Sequence, residues 1–250
     1  MGNRTSEDLL VIMAKEPVAG KVKTRLSPDL TPQEAADLYR CFLQDSIAEM
    51  GALDGIDRAI AYAPATARAI FAALADHRFT LFPQQEMELG QRMFSIFQEQ
   101  FAQGYDSVCI MNSDSPDLPK EIVRASFRLL AVGKADVVLG PCNDGGYYLL
   151  GMKHPHPELL AGIPWSTGDV LAVTQQKAKK IGLQVALLPP WDDIDTYRGL
   201  TVFYQRNTAN AAKGSNPGTI TRTFFAALNN SPLRHLHQPE SPGPAPPRSR

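Results

Sequence analysis

The sequence predicts one α/β domain built on a mostly parallel sheet with helices on both faces. Segments typical of buried strands alternate with segments of helical periodicity along nearly the whole chain. Several strand segments end in loops rich in charged residues and glycine, and open α/β sheets bind ligands at the carboxyl ends of their strands. The 250 residues are enough for one such domain with a substantial core.

The first strand segment, residues 9–14, is a short apolar run that leads into a basic loop. The loop contains four cations: Lys15, Lys21, Lys23 and Arg25. Pro17 and Gly20 interrupt helical periodicity, and the backbone can approach an anion closely at Gly20. We therefore expect this loop to bind phosphate instead of being an ordinary solvated surface loop. The loop is neither a Walker motif nor a dinucleotide fingerprint.

Helices and strands then alternate as far as residue 103. Thr31-Pro32-Gln33-Glu34 is a capping box, which predicts a helix to about residue 50. Residues 58–63 and 78–82 are predicted strands, with an Ala-rich helix at 64–75 between them. A further helix is predicted from about residue 88 to residue 103, because its apolar residues share one face.

Gly90 lies in the first turn of that helix, where glycine costs about 1 kcal/mol relative to alanine. One interpretation is that a ligand lies against the backbone at Gly90, with Arg92 beside it. The other is an ordinary glycine in a frayed helix end, followed by a solvated arginine. The sequence alone leaves both interpretations open.

The predicted central strand, residues 107–111, is followed by two carboxylates, Asp114 and Asp117. Asp117 directly precedes Leu118 and Pro119 and can help to cap the next helix. Asp114 has no such structural reason to be acidic. We interpret Asp114 as functional and Asp117 as structural, with a contact to an acceptor substrate as the alternative for Asp117.

A helix to about residue 132 and a strand at 135–139 lead to a long polar, glycine-rich stretch. The Asp144-Gly145 pair is a common hairpin signal between two strands. A hairpin does not explain the length of the stretch, so we interpret it as a substrate loop in which Asp144 orients or deprotonates a hydroxyl. Gly145 and Gly146 would let the ligand approach the backbone, and residues 147–152 form the outgoing strand.

Two later loops complete the candidate site. Trp165 precedes Ser166 and Thr167, either of which can cap a helix to about residue 181, and it either packs against that helix or lines a pocket. A strand at 183–188 is followed by acids at 192, 193 and 195, which repel one another unless they are capped, solvated or bound to a cation. Carboxylates that follow separate strands, Asp114 and Asp195, can share one divalent ion, although Asp195 can also cap a helix at 196–207.

The end of the chain changes in character. A last helix is expected at 217–228, with Asn216 as its cap. From Pro232 onward the sequence is rich in Pro, Ser and basic residues and has no periodic apolar positions. We interpret residues 231–250 as a disordered tail.

The composition excludes several classes of partner. Lys and Arg total 25 and Asp and Glu total 26, so no bulk charge attracts nucleic acid or a membrane surface. The three cysteines are far apart and form no C-x-x-C pair, and Cys41 and Cys109, which lie in a helix pattern and a strand pattern, are interpreted as reduced core residues. The polar N-terminus and short first apolar run predict neither a signal peptide nor a membrane span, so we expect a cytoplasmic protein.

Six motifs, in this order and spacing, resemble those of one bacterial family. They are Lys23-Thr24-Arg25, Leu89 to Met93, Asp114 to Pro119, Gly140 to Tyr148, Trp165-Ser166-Thr167 and Asp193 to Thr196. The family is glycosyltransferase-A-like and related to the molybdenum-cofactor and phospholactate guanylyltransferases, and some members are linked to arsenosugar biosynthesis. This resemblance implies the Rossmann-like nucleotide-diphospho-sugar transferase (GT-A) fold over a single catalytic domain, residues 8–230. Many members have Gly before the Thr-Asp of the fourth-strand motif, where this chain has Asn112-Ser113-Asp114.

The resemblance also implies roles for individual residues. Those implied for the nucleotide are Ala14, Lys15, Gly20, Lys21, Lys23, Thr24, Arg25, Gly90 and Arg92. Those implied for the acceptor are Asp117, Asp144, Gly145, Gly146, Tyr147, Trp165, Ser166 and Thr167. Those implied as ligands of Mg²⁺ or Mn²⁺ are Asp114, Asp193 and Asp195, and those implied in catalysis are Lys23, Arg25, Asp114 and Asp144.

Three functions are compatible with this pattern. The first is a metal-dependent glycosyltransferase that passes a sugar from a nucleotide-sugar donor to a small hydroxyl acceptor. The alternative is a nucleotidyltransferase that joins a nucleoside triphosphate to a phosphorylated small molecule and releases pyrophosphate. A nucleotide-binding regulatory protein without catalysis is the least favoured, because the acids at both strand ends are intact. The donor, the acceptor and the oligomeric state are not determined by the sequence.

Overall fold

The structure is a computed structural model that describes residues 4–27, 29–211 and 217–229. The strands are β1 (Asp8–Lys15), β2 (Asp57–Ala63), β3 (Phe79–Pro83), β4 (Ser107–Met111), β5 (Val137–Pro141), β6 (Tyr147–Met152) and β7 (Val185–Leu187). The helices are α1 (Pro32–Gly51), α2 (Arg68–Leu74), α3 (Leu89–Ala102), α4 (Lys120–Ala131), α5 (Pro157–Leu160), α6 (Val170–Lys180), α7 (Tyr197–Ala211) and α8 (Thr219–Asn229). The α-helix of residues 157–160 has no counterpart among the sequence predictions.

The described strands form one sheet in the order β3-β2-β1-β4-β6-β5-β7. β6 runs antiparallel to β4 and β5, and the other neighbouring pairs are parallel. The predicted mixed, mostly parallel sheet is therefore confirmed. Because β5 and β6 are antiparallel neighbours, the loop that contains Asp144 is a hairpin connection and also lies at the ligand-binding edge of β4.

Alternate residues of β1 pack into cores on the two faces of the sheet. Leu10 and Ile12 belong to a core with α1, α4, α7 and α8, whereas Leu9 and Val11 belong to a core with α3, α5 and α6. This alternation follows from the period of two along a strand, and it makes β1 apolar on both faces. The predicted cover of helices on both faces is confirmed. No described helix is long and apolar enough to cross a membrane.

One local capping signal is confirmed, and several others are wrong. Thr31 Oγ1 accepts a hydrogen bond from the Glu34 N–H at 3.2 Å, and the Glu34 carboxylate accepts one from the Thr31 N–H at 2.8 Å, so the capping box is confirmed. Neither Ser166 nor Thr167 caps the next helix, because α6 begins only at Val170. Thr196, and not Asp195, caps α7 by accepting from the Gly199 N–H at 3.1 Å.

The last helix receives its cap from a distant residue. Asp45, buried in α1, accepts hydrogen bonds from the backbone N–H groups of Ile220 at 3.0 Å and Thr221 at 2.7 Å. The predicted cap Asn216 and the predicted tail 231–250 lie outside the described residues. The contact with Asp45 fixes α8 against α1.

Candidate active site

A cavity of about 690 Å³ opens at the carboxyl ends of β1 and β4. The predicted site residues that line it are Ala14, Lys15, Lys21, Lys23, Thr24, Arg25, Arg92, Asp114, Asp144, Gly146, Tyr147, Trp165, Ser166, Thr167, Asp193 and Asp195. Those outside its lining are Gly20, Gly90, Asp117 and Gly145. The sheet topology explains the convergence, since β1 and β4 are parallel neighbours and deliver their loops to one edge.

Lys23 forms ion pairs with two of the three predicted metal-ligand acids, Asp114 and Asp195. Its Nζ lies 2.9 Å from Asp114 Oδ1 and 2.8 Å from Asp195 Oδ1, and it donates to the Ile194 carbonyl at 2.7 Å. The Lys23 side chain is only 4% exposed. The expectation that Lys23 points at the ligand's diphosphate is not what the structure shows, because the ammonium is buried between two carboxylates.

The pKa values of Lys23, Asp193 and Asp195 depend on burial and on neighbouring charges. Burial alone would lower the pKa of Lys23, but Asp114 and Asp195 outweigh burial and raise that pKa. Burial likewise favours a higher pKa for Asp195, yet Lys23 holds it below its ordinary value. For Asp193, burial, followed by repulsion from Asp195 and Asp144, outweighs the attraction of Lys23 and raises the pKa to about 6.

The other cations of the first loop are available to a ligand. Lys15, Lys21 and Arg25 are exposed and line the cavity. Arg25 is 68% exposed, and its nearest guanidinium nitrogen lies 3.5 Å from Asp195 Oδ2, a weak contact in solvent. These three side chains can therefore reorient toward phosphate oxygens at little cost.

Gln84 organises the side of the cavity next to α3, and the sequence reasoning missed it. Its Nε2 donates to the carbonyls of Ala14 at 3.1 Å and Ala61 at 2.7 Å, which ties together the ends of β1 and β2. Its Oε1 accepts from Arg92 at 3.0 Å. Gln84 thus holds Arg92 at the cavity wall, a position that the sequence left open and the family resemblance implied.

Gly90 packs against Leu160 and Trp165. A Cβ at this position would lie 2.5 Å from the Leu160 carbonyl and 3.0 Å from Trp165 Nε1. The expectation that Gly90 lines the nucleotide pocket is therefore wrong. Its lack of a side chain instead lets α3 approach Trp165, which does line the cavity.

The opposite wall combines an aromatic pair with an exposed acid. Tyr147 and Trp165 meet edge to face, with ring centroids 6.2 Å apart. Asp144 is exposed on the loop between β5 and β6, and its Oδ1 accepts from the Gly146 N–H at 2.8 Å. That hydrogen bond orients the carboxylate while leaving its other oxygen available.

Gly145 and Asp117 have structural roles, which corrects their assignment to the acceptor site. A Cβ at Gly145 would lie 1.9 Å from the Gly168 carbonyl oxygen, so the glycine allows two loops to cross closely. Asp117 is buried, forms an ion pair with Arg206 at 2.6 Å and accepts from Trp191 Nε1 at 3.0 Å. It anchors α7 to the loop after β4. The prediction that Asp117 caps the next helix is wrong, because α4 has no side-chain cap and Asp117 instead binds α7.

Tyr39 and Ser113 form a buried link that local sequence signals do not reveal. The Tyr39 hydroxyl lies 2.7 Å from Ser113 Oγ and accepts from the Lys15 N–H at 3.1 Å. Both side chains line the cavity. The link couples the ends of β1 and β4, the two strands that deliver the cations and Asp114.

Comparison with known proteins identifies the family. The crystal structure of a candidate nucleotide-diphospho-sugar transferase from Desulfovibrio desulfuricans G20 matches with a TM-score of 0.82 and 34% sequence identity, over 92% of this chain and 98% of that one. The chain belongs to the nucleotide-diphospho-sugar transferase family. It is therefore a transferase, and the resemblance inferred from its motifs is confirmed. A family model described as "Uncharacterized protein conserved in bacteria (DUF2064)" matches residues 46–167 of this transferase.

More distant structures share the fold alone. A cytidylyltransferase from Leptospira borgpetersenii serovar Hardjo-bovis matches with a TM-score of 0.53 and 11% identity, over 94% of this chain and 99% of that one. CMP:2-keto-3-deoxy-manno-octonic acid synthetase, solved in complex with CTP, matches with a TM-score of 0.51 and 10% identity, over 83% of this chain and 99% of that one. No curated protein matches the chain significantly.

The acids of this transferase suit a divalent cation only together with ligand oxygens. Among the residues that the structure describes, no group of three or more His, Cys, Asp or Glu side chains could hold a metal ion by itself. Asp114 and Asp195 do place one oxygen each around a common point, the position of Lys23 Nζ. Mg²⁺ usually takes one or two carboxylates plus phosphate oxygens and water, so two carboxylates are compatible with a metal–nucleotide complex.

Proposed function

We propose that this protein is a metal-dependent glycosyltransferase that passes a sugar from a nucleotide-sugar donor to a small hydroxyl acceptor. One observation supports this most directly. The cavity joins exposed cations of the first loop to the acids that follow β4 and β7, and an aromatic wall with the exposed Asp144 faces them. A donor diphosphate and an acceptor hydroxyl require those two kinds of surface side by side.

The donor diphosphate would lie against Lys15, Lys21 and Arg25. These side chains are exposed and belong to one loop, so their charges can add at one anionic group. Asp114 and Asp195, with Asp193 beside them, would hold Mg²⁺ or Mn²⁺ together with the phosphate oxygens. The metal, when bound, would neutralise charge that develops on the departing diphosphate, which is the main electrostatic task of this reaction.

The acceptor would lie at the wall formed by Tyr147 and Trp165. Aromatic rings present a flat apolar surface with a polar edge, which suits the mixed faces of a sugar ring. Asp144 would accept the proton of the attacking hydroxyl through the carboxylate oxygen that does not bind the Gly146 N–H. This arrangement gives Asp144 a fixed orientation before the acceptor binds.

One observation favours the alternative, nucleotidyl transfer. Three exposed cations on one loop suit a triphosphate at least as well as a diphosphate. The released product separates the two reactions, because glycosyl transfer yields a nucleoside diphosphate and nucleotidyl transfer yields pyrophosphate. A thermal-shift screen of nucleotides and nucleotide sugars with Mg²⁺ or Mn²⁺ would select donors, since ligand at 100 times its Kd adds about 2.7 kcal/mol of stability.

Each selected donor is then incubated with the enzyme and Mn²⁺, and the products are separated by ion-exchange chromatography. Release of a nucleoside diphosphate from a nucleotide sugar, stopped by a chelator and restored by Mn²⁺, is the expected result. Pyrophosphate release from a nucleoside triphosphate would establish the alternative reaction. If a chelator does not affect the release of nucleoside diphosphate, glycosyl transfer is supported but its dependence on a metal is contradicted.

Asp144→Asn tests the proposed base directly. The amide oxygen can still accept from the Gly146 N–H, but the side chain can no longer take a proton at neutral pH. We expect turnover to fall by about 100-fold or more, because a general base contributes 10²–10⁴-fold, with little change in donor Kd. Asp169→Asn is the matched control, since Asp169 is also exposed near this loop but does not line the cavity. Equal turnover of the two variants would exclude Asp144 as the base.

A further inference from the structure

We propose that Lys23 is a built-in counter-ion of the metal site, and that its ammonium group and a divalent ion compete for Asp114 and Asp195. This inference rests on the proposed function, because it concerns the metal of that reaction. It has a specific consequence: without phosphate in the cavity the protein binds divalent metal weakly, since the metal position already holds a cation.

The hydrogen bonds of Lys23 show that its ammonium is fully satisfied where it lies. An ammonium has three N–H donors, and Lys23 has three acceptors within 2.9 Å: Asp114 Oδ1, Asp195 Oδ1 and the Ile194 carbonyl. The ring of Phe42 lies beneath the ammonium, with Nζ 5.3 Å from its centroid. The geometry is therefore that of a cation-binding site with its cation supplied by the chain.

The backbone at Lys23 supports the same conclusion. Lys23 adopts the left-handed conformation, with φ 49° and ψ 36°, which costs free energy for any residue except glycine. This conformation precedes the short 3-10 turn Thr24–Leu26 and directs the side chain inward, whereas Lys21 on the same loop is exposed. Two lysines of one loop are thus in different environments, and only Lys23 binds the acids.

Competition follows from the shared oxygen atoms. Asp114 and Asp195 each use Oδ1 for Lys23, and these are the oxygens that converge on one point. A second cation at that point would be repelled by the ammonium across a few ångströms, which is a large penalty in a partly buried site. For a divalent ion to bind there, Lys23 must leave, and phosphate oxygens in the cavity are the anions that could receive it.

The test measures binding of Mn²⁺ alone to the full-length protein, by electron paramagnetic resonance of free Mn²⁺. We expect Lys23→Gln and Lys23→Met to bind Mn²⁺ at least about tenfold more tightly than wild type, because the competing charge is gone. Lys21→Gln is the matched control: it removes the same charge from the same loop and should change Mn²⁺ affinity by less than about threefold, since Lys21 is exposed to solvent. The double variant Lys23→Gln with Asp114→Asn should not show this increase in Mn²⁺ affinity, because it also lacks one of the two carboxylates.

Unchanged or weaker Mn²⁺ binding in both Lys23 variants would overturn the proposal, as would an equal gain in Lys21→Gln. If neither Lys23 variant folds, the wild-type protein is acetylated at increasing Mn²⁺ concentrations, and the acetylated lysines are measured by peptide mass spectrometry. Acetylation of Lys23 relative to Lys21 should increase with Mn²⁺, because Mn²⁺ displaces the Lys23 ammonium. A Lys23-to-Lys21 acetylation ratio that does not change with Mn²⁺ would contradict the competition.

The outcome is distinguishable from failure of the proposed function. If the enzyme turns over a nucleotide sugar but the Lys23 variants do not change Mn²⁺ affinity, the counter-ion proposal is wrong and the proposed function stands. If the Lys23 variants bind Mn²⁺ more tightly but the enzyme turns over no nucleotide sugar, the proposed function is wrong and the counter-ion proposal stands.

Discussion

Single residues set the spacing of the loops around the cavity, and Gly145 is the clearest case. It has a φ of +89°, and a Cβ there would lie 1.9 Å from the backbone oxygen of Gly168. Gly145→Ala must therefore displace one of the two loops. We expect a loss of about 3 kcal/mol or more in the free energy of unfolding, because overpacking adds to the 1–2 kcal/mol cost of the left-handed conformation.

Gly162→Ala separates these two contributions. Gly162 has a φ of +63°, but a Cβ there would meet nothing within 4 Å. Urea unfolding of both variants is the measurement, and Gly162→Ala should lose only about 1–2 kcal/mol. Equal losses would show that the crossing of the loops at Gly145 and Gly168 is not tight in solution.

Asp57 provides a residue-scale prediction about pH. Its carboxylate accepts from the Thr5 N–H at 2.9 Å, from the Ser6 N–H at 3.2 Å and from the Tyr105 hydroxyl at 3.0 Å. Burial favours a higher pKa for Asp57, but the hydrogen bonds, above all those from Thr5, outweigh it and lower the pKa. A lowered folded-state pKa means that the ionised carboxylate stabilises the fold above its unfolded pKa of about 3.9 and loses this effect as the pH falls.

We therefore expect Asp57→Asn to have a lower free energy of unfolding than wild type at neutral pH. The difference between the two should become smaller as the pH falls below about 4. Chemical denaturation at a series of pH values measures this difference. Asp54→Asn is the control, because Asp54 is an exposed acid three positions away. A gap for Asp57→Asn that is independent of pH would show that the charge of Asp57 contributes nothing.

At the scale of elements, α8 depends on α1 for its N-terminal cap. The buried Asp45 carboxylate accepts hydrogen bonds from the backbone N–H groups of Ile220 and Thr221 in the first turn of α8. Asp45→Ala should lower the free energy of unfolding by about 1–2 kcal/mol, since it leaves two backbone N–H groups without this acceptor. Differential scanning calorimetry should show a melting temperature several degrees lower.

Asp37→Ala is the matched control on the same helix. Within the described part of the chain, the Asp37 carboxylate accepts from Gln33 Nε2 at the surface, so its removal should cost less than about 0.5 kcal/mol. Similar losses for Asp37→Ala and Asp45→Ala would contradict the capping role and point to a general effect on α1.

At the scale of the whole molecule, the segment after residue 230 should be dispensable. Six prolines lie between Pro232 and Arg250, and no apolar stripe is present to dock them. A chain that ends at Asn230 should keep its melting temperature and its affinity for the donor nucleotide. A clear loss of either would show that the segment packs on the domain.

A chain that ends at residue 217 is the comparison, because it lacks α8. The Phe225 ring of α8 is buried and meets the rings of Tyr197 and Tyr204 edge to face, with centroids 5.7 and 5.5 Å away. Loss of this cluster should destabilise the protein strongly, since removal of one buried Phe side chain alone costs about 3–5 kcal/mol. The two truncations together define where the folded domain ends.

The sequence by itself determined the elements and the loops that make the site. Apolar runs located β1, β4 and β6, and the capping box located the start of α1, because these signals depend on neighbouring residues. The alternation of strands and helices predicted a mostly parallel sheet, and such a sheet brings the loops after β1 and β4 to one edge. Asp114, which follows β4, therefore lines the cavity, and Arg92 and Trp165, for which the sequence left such a role open, line it too.

The tertiary structure decided which of these residues contact one another. Lys23 binds Asp195, which is 172 positions away, and Asp45 caps Thr221, which is 176 positions away. No local pattern specifies such pairs, because they depend on how the helices pack on the sheet. For the same reason the sequence left the role of Gly90 open and assigned Gly145 to a ligand, whereas the fold shows that the close neighbour of each glycine is the protein itself.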